Sequence, residues 1–162
     1  MVVLRCTQKL LVRLKQAGDL PAPESTTRLG DWYGNVLRVG QRQHLLFISE
    51  RSRLPVVLPM RDVTRLRTVF PDAVCERLVS VGVSAADIAD ERARMSEIAF
   101  GRTSNRSLLG TLNDFAFMAQ QGNANRVGPE SPDELMRFLA RTPILPLDGA
   151  SPIELTRAAF AS

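Results

Sequence analysis

The chain predicts an α+β fold: a mostly antiparallel sheet of four to five strands, helices packed on one face, and a helical C-terminal half. Three observations point there. Short apolar, β-branched segments crowd residues 1–60. Brief polar connectors join three of them, which implies an antiparallel meander. From residue 61 the apolar spacing changes to threes and fours, with capping residues at the helix starts. Residues 1–162 read as a single domain, strand-rich over 1–60 and helix-rich over 61–162, with one further strand near 97–102.

The elements follow in order. Val2–Cys6 is β-branched and short, as a central strand is. Thr7 can cap a helix over 8–16, with Leu10, Leu11 and Leu14 on one face and Gly18 as its stop. Residues 19–28, with Pro21, Pro23 and a Ser–Thr–Thr run, form a loop. Strands at 32–39, 44–49 and 54–60 are linked by 40–43 and 50–53, both of hairpin length. Asp62 can cap a helix carrying Val63, Leu66, Val69 and Phe70. Pro71 restarts it, with Val74, Leu78 and Val81 inward and Gly82 as the stop. Ser84 opens the next helix, whose polar run 90–94 reads as a solvated face. Residues 97–102 alternate as a strand does. A helix then spans about 105–121 and breaks over 122–125. Ser131–Pro132 and Ser151–Pro152, each with Glu three residues after the Ser, start the last two helices.

Composition narrows the class. An apolar content of 44% with 23% charged residues suits a globular core and surface. Cys6 and Cys75 form no disulfide framework and read as small core residues, which fits a reducing, cytoplasmic setting. Arg5, Lys9, Arg13 and Lys15 interrupt any apolar leader, and no run approaches the ~20 apolar residues of a membrane span. No membrane partner is expected. The net charge of +4 is uneven: residues 1–68 hold 12 basic against 5 acidic side chains, and residues 69–162 hold 9 against 12. A basic N-terminal half attracts nucleic acid or an acidic partner. No RNP-type aromatic pattern, zinc finger or basic zipper accompanies it.

The densest polar chemistry lies at 102–114. With Ser104 as N-cap and Asn105 as first helical residue, Arg102 and Arg106 sit at the positive pole of a helix dipole, where a cation costs about 0.3–1 kcal/mol. A phosphate, sulfate or carboxylate would reverse that sign. Arg106, Gly110, Asn113 and Phe117 fall on one helical stripe, with Asp114 beside it. Gly110 costs about 1 kcal/mol relative to Ala in mid-helix, which suits close approach of a backbone or ligand. The stripe is either a polar pocket or a buried network tying helix to sheet. The expected ligand-binding set is Arg102, Thr103, Asn105, Arg106, Ser107, Gly110, Asn113 and Asp114.

The run from Thr103 to Asp114 resembles the T-x-x-R-S-x-x-G-x-x-N-D signature of an uncharacterised bacterial domain family. The strand Leu4–Arg5–Cys6–Thr7, the segment Leu29–Gly30–Asp31–Trp32–Tyr33 and the strand Leu45–Leu46–Phe47 resemble it too. The likeness spans most of residues 1–120. It implies that Thr103, Arg106, Ser107, Gly110, Asn113 and Asp114 belong to a recurring pattern, and it implies no activity.

Other motifs are sparse. His44, the sole histidine, has no neighbours at ligand spacing, so no metal is expected. There is no Walker A loop, no G-x-G-x-x-G and no G-x-S-x-G, so no nucleotide cofactor is expected. Trp32 and Tyr33 alternate on a strand. Trp32 defaults to the core, and an exposed aromatic there would stack a base or meet a partner. The expected function is a non-enzymatic binding protein that holds an anionic group or an acidic partner segment at the 105–108 helix start. By analogy, a bacterial accessory or mobile-element role fits, such as one half of a toxin–antitoxin pair. The alternatives are a nucleic-acid-binding module using residues 1–68, and an enzyme of phosphate-ester or nucleotide chemistry with Asp114 as base and Arg106 as clamp.

Overall fold

Apolar side chains leave the central strands in both directions, and the fold is built to cover them twice. The computed structural model describes residues 1–17, 22–124 and 131–161, with backbone alone at 122–124. The order is β1 (Val2–Cys6), α1 (Gln8–Leu14), β2 (Trp32–Val39), β3 (Arg42–Ser49), β4 (Pro55–Pro59), α2 (Leu66–Ser80), α3 (Ala85–Arg94), β5 (Ile98–Arg102), α4 (Arg106–Ala124), α5 (Pro132–Ala140) and α6 (Pro152–Phe160). Two 3-10 segments intervene, Met60–Arg65 and Leu145–Leu147.

The α+β class holds, and the sheet is mixed. Its strand order is β4-β3-β2-β1-β5. The β2–β3–β4 meander is antiparallel, as the short connectors require. β1 runs parallel to both neighbours, pairing Arg5 with Tyr33 on β2 and with Gly101 on β5. Its links to them pass through helices, and only such long crossovers can join parallel strands.

Helices cover both faces of the sheet, where the sequence pattern predicts one covered face. On the first face Leu4, Trp32, Phe47 and Val56 pack with Leu10 and Leu11 of α1 and with Leu66, Phe70, Val74 and Leu78 of α2. Phe70 meets Trp32 and Phe47 edge-on, at centroid distances of 5.3 and 5.2 Å. On the second face Tyr33, Leu37, Leu46, Ile48 and Val57 pack with Leu108, Leu112 and Phe115 of α4 and with Leu135 and Leu139 of α5. The unbroken apolar run Leu45–Ile48 is the sequence mark of a strand buried on both sides.

Caps follow local chemistry. Thr7 Oγ1 accepts from the Leu10 N–H, and the hydroxyls of Ser84, Ser131 and Ser151 accept from Asp87, Glu134 and Glu154. Three local expectations change. α1 closes at Lys15, which takes the left-handed conformation (φ 55°); Gly18 lies outside the described residues. Asp62 caps nothing and sits inside a 3-10 segment. Pro71 lies within one continuous α2, because Leu66, Phe70, Val74 and Leu78 stay on a single buried face across it. The lost hydrogen bond is outweighed by that burial.

Glu91 is the largest departure. The run 90–94 reads as solvated, yet Glu91 is 1% exposed. Its carboxylate accepts from the backbone N–H of Arg28 (2.7 Å) and Leu29 (3.2 Å), so α3 fixes the entry to β2. Ile88, Glu91 and Met95 share one helical face by their spacing, which is the signal that places Glu91 inward. Burial raises its carboxyl above the ordinary range, and the two N–H groups only partly offset this.

Two outcomes are expected. Phe115→Ala lowers stability by about 3–5 kcal/mol in urea unfolding; a loss under 1 kcal/mol would contradict the second core. A raised carboxyl pKa stabilises the fold below the unfolded value and loses that contribution as pH rises through the folded one. Wild type therefore gains stability relative to Glu91→Gln as pH falls from neutral toward the ordinary carboxyl range. A difference independent of pH would show that Glu91 does not titrate this way.

Candidate functional site

Three separate turns meet on the second face, beside β1. The first is the 50–54 connection between β3 and β4. Ser49 and Ser52 share a hydroxyl hydrogen bond of 2.7 Å, and Thr156 of α6 donates to Ser52 Oγ at 2.9 Å. These buried hydroxyls lock the turn, and Arg53 takes positive φ (61°) inside it. Such a conformation costs a side-chain-bearing residue about 1–2 kcal/mol, so the surrounding contacts must hold it there.

Arg53 is consequently buried, with 7% exposure. Nη1 donates to the Glu50 carbonyl and Nη2 to Ser107 Oγ at 3.3 Å, while Nε is enclosed without an acceptor. No carboxylate lies within ion-pair distance of it among the described residues. Burial pulls its pKa below the usual arginine value, and the fields of Glu50 and Tyr33 oppose this without reversing it.

The second turn is the start of α4. Asn105, rather than Ser104, caps it: its Oδ1 accepts from the Leu108 N–H at 3.1 Å, and its carbonyl accepts from Leu109. The N–H groups of Arg106 and Ser107 are left without acceptors among the described residues. The first turn of α4 contains no acid. Arg106 is exposed, and its guanidinium forms no ion pair or hydrogen bond among the described residues. Arg102, at the end of β5, is likewise exposed. Arg106 therefore has no ion-pair partner among the described residues, which removes the buried-network alternative for it.

The third turn is the approach to β2. Asp31 Oδ2 accepts from Arg5 Nε at 2.5 Å, and Oδ1 accepts from the Ser25 hydroxyl (2.7 Å) and N–H (3.3 Å). Glu50 Oε2 accepts from the Asp31 N–H at 3.1 Å, and Arg5 Nη1 reaches the Arg102 carbonyl. Burial draws Arg5 down, but the hydrogen bond and charge of Asp31, helped by Tyr33 and Glu50, leave its pKa raised. Together these parts enclose a pocket of about 640 Å³, floored by Arg5 and Tyr33 and walled by Asp31, Glu50, Ser104 and Asn105.

The structure brings only part of the expected set together. Thr103, Asn105, Arg106 and Ser107 form the α4 start. The stripe Arg106–Gly110–Asn113–Phe117 faces solvent, and Phe117 is 61% exposed. A β-carbon added at Gly110 would meet nothing within 4 Å, so no close approach demands that glycine. Gly110, Asp114 and Ser107 instead edge a 260 Å³ cleft against residues 143–146. The Trp32 and Tyr33 rings are 1% and 2% exposed, so neither stacks a base or a partner; both pack as core. Only the Tyr33 hydroxyl looks outward, 3.4 Å from Ser104 Oγ.

Arg5, Asp31, Glu50 and Arg53 escape sequence reading. An alternating strand offers a weak signal for Arg5. Nothing local marks Arg53, which reads as part of a polar hairpin connector. Of the other candidates, Cys6 is buried and its thiol is pushed up to about 12 by that burial. His44 lies in β3 with Nδ1 unpartnered, and burial lowers its pKa. No helix among the described residues is long and apolar enough to cross a membrane.

An α+β domain with a mixed five-stranded sheet and a polar pocket beside β1 is the class these observations define. The chain belongs to the family described as "Domain of unknown function (DUF6933)", whose model matches residues 3–155. No curated protein and no solved structure matches it.

Asp31→Asn weakens the charge pairing to Arg5 and one Ser25 contact, and is expected to cost about 1–3 kcal/mol by thermal or urea unfolding. An unchanged midpoint would mean that the pair does not organise the pocket.

Proposed function

We propose that this domain is a binding protein that holds a phosphate-class anion at the start of α4. The observation that carries the reading is Arg53, a buried guanidinium with no carboxylate partner whose Nη2 reaches the first turn of that helix. A buried charge is normally paired, because desolvation is costly. Here it adds to the free N–H groups of Arg106 and Ser107, the dipole of a 19-residue helix and the exposed Arg106 guanidinium. Each of these terms favours a bound anion.

Of the carboxylates nearby, only Asp31 is paired, while Glu24 and Glu50 keep their charge in the pocket and neither forms an ion pair with Arg53 or Arg106. Both oxygens of Asp31 are engaged by Arg5 and Ser25, and Glu50 takes the Asp31 N–H. The catalytic alternative lacks equivalent support. Arg106 and Asp114 are eight residues apart on one helix, about 12 Å along its axis, so base and clamp do not flank one reacting group. A cytoplasmic setting is compatible with the two free cysteines and belongs to the same proposal.

Titration with inorganic phosphate at low ionic strength tests the reading. Arg106→Ala should weaken binding about tenfold while leaving stability within ~0.5 kcal/mol, as expected of an exposed residue. Equal binding by the two proteins, or no binding by wild type, would overturn it.

A further inference from the structure

The geometry points to a phosphorylated polyhydroxy compound of sugar-phosphate size as the ligand class, with its hydroxyl-bearing body in the pocket floored by Arg5 and Tyr33. This rests on the anion reading of the α4 start. Two independent features extend that reading beyond a bare anion.

The first is contiguity. Ser104 and Asn105 wall the pocket and immediately precede the free N–H groups of Arg106 and Ser107. The buried Arg53 guanidinium donates to Ser107 Oγ, and its enclosed Nε lies outside the pocket lining. An anion at the helix start would therefore project its covalent remainder into about 640 Å³ of adjoining space. Small-ligand sites span roughly 300–1,000 Å³, and a free phosphate fills only a small part of that.

The second is the character of the lining. Nine of its ten residues carry polar side chains, and the lining combines an open donor with open acceptors. Among the described residues, Arg5 Nη2 lacks an acceptor, while Glu50 Oε1 and the Glu24 carboxylate lack donors. Hydroxyl groups serve both kinds, since each donates once and accepts twice. A nucleobase would find no aromatic face, because the Trp32 and Tyr33 rings are sealed in the core. Gly101, beside Arg5 on β5, makes room for the Ala22 side chain, which a β-carbon there would meet at 2.9 Å.

The test compares inorganic phosphate, ribose 5-phosphate, ribose and adenosine 5′-monophosphate by calorimetric titration against wild type, Glu24→Gln and Tyr33→Phe. Glu24 is exposed, and Tyr33→Phe keeps the buried ring, so both variants should fold. Ribose 5-phosphate should bind at least tenfold tighter than phosphate, and ribose alone weakly. Each variant should reduce that advantage about 3- to 10-fold while phosphate binding stays unchanged. If phosphate and ribose 5-phosphate bind equally, the pocket assignment fails and the anion site stands. Stronger binding of the nucleotide than of ribose 5-phosphate would overturn the sugar-phosphate class. If no phosphorylated probe binds, both readings fall.

Discussion

A sheet whose central strands bear apolar side chains on both faces must be covered on both, and most of this architecture follows from that demand. Leu45 and Phe47 point one way, Leu46 and Ile48 the other, and all four are sealed. One helical layer cannot satisfy them. α1 and α2 close the first face, while α4 and α5 close the second. Apolar burial of this kind contributes about 25 cal/mol per Å² removed from water, and no polar contact in the molecule competes with it in aggregate.

The coverage is uneven, and the unevenness makes the pocket. On the second face α4 lies over β2 and β3, and the residues before its start, Ser104 and Asn105, wall the pocket. Arg5 of β1 gives a polar floor there in place of an apolar one. The loop before β2 closes one side through Ser25 and Asp31, and Glu91 of α3 holds that loop by its backbone. The 50–54 turn closes another. The site is thus a by-product of where helices end, with its electrostatics set by side chains from four distant stretches of chain.

Charge is distributed along the pocket with a definite polarity. Toward the loop, Asp31 and Arg5 neutralise one another through a short hydrogen bond, beside the carboxylates of Glu24 and Glu50. Toward α4, positive groups accumulate without an internal acid, and the backbone dipole adds to them. Arg53 illustrates the underlying tension. Its unfavourable φ and its desolvation both oppose the conformation, and the Ser49–Ser52–Thr156 hydroxyl chain holds the turn nonetheless. Strain retained against two opposing terms is a frequent mark of a functional position.

Much of this was legible from residue order alone. Serine and threonine caps, the β2–β4 meander, the strand at Ile98–Arg102 and the polar start of α4 all arise from contacts within a few residues, so local patterns encode them. The parallel placement of β1, the second covered face, the inward turn of Glu91 and the meeting of Arg5, Asp31, Glu50 and Arg53 depend on segments 19 to 97 positions apart. No local period carries that information. The chain by itself determined which segments are strands and helices and that a cation sits at a helix start. Only the tertiary structure decided which turns converge on that cation, because convergence is set by the packing of whole faces and by the desolvation that packing imposes.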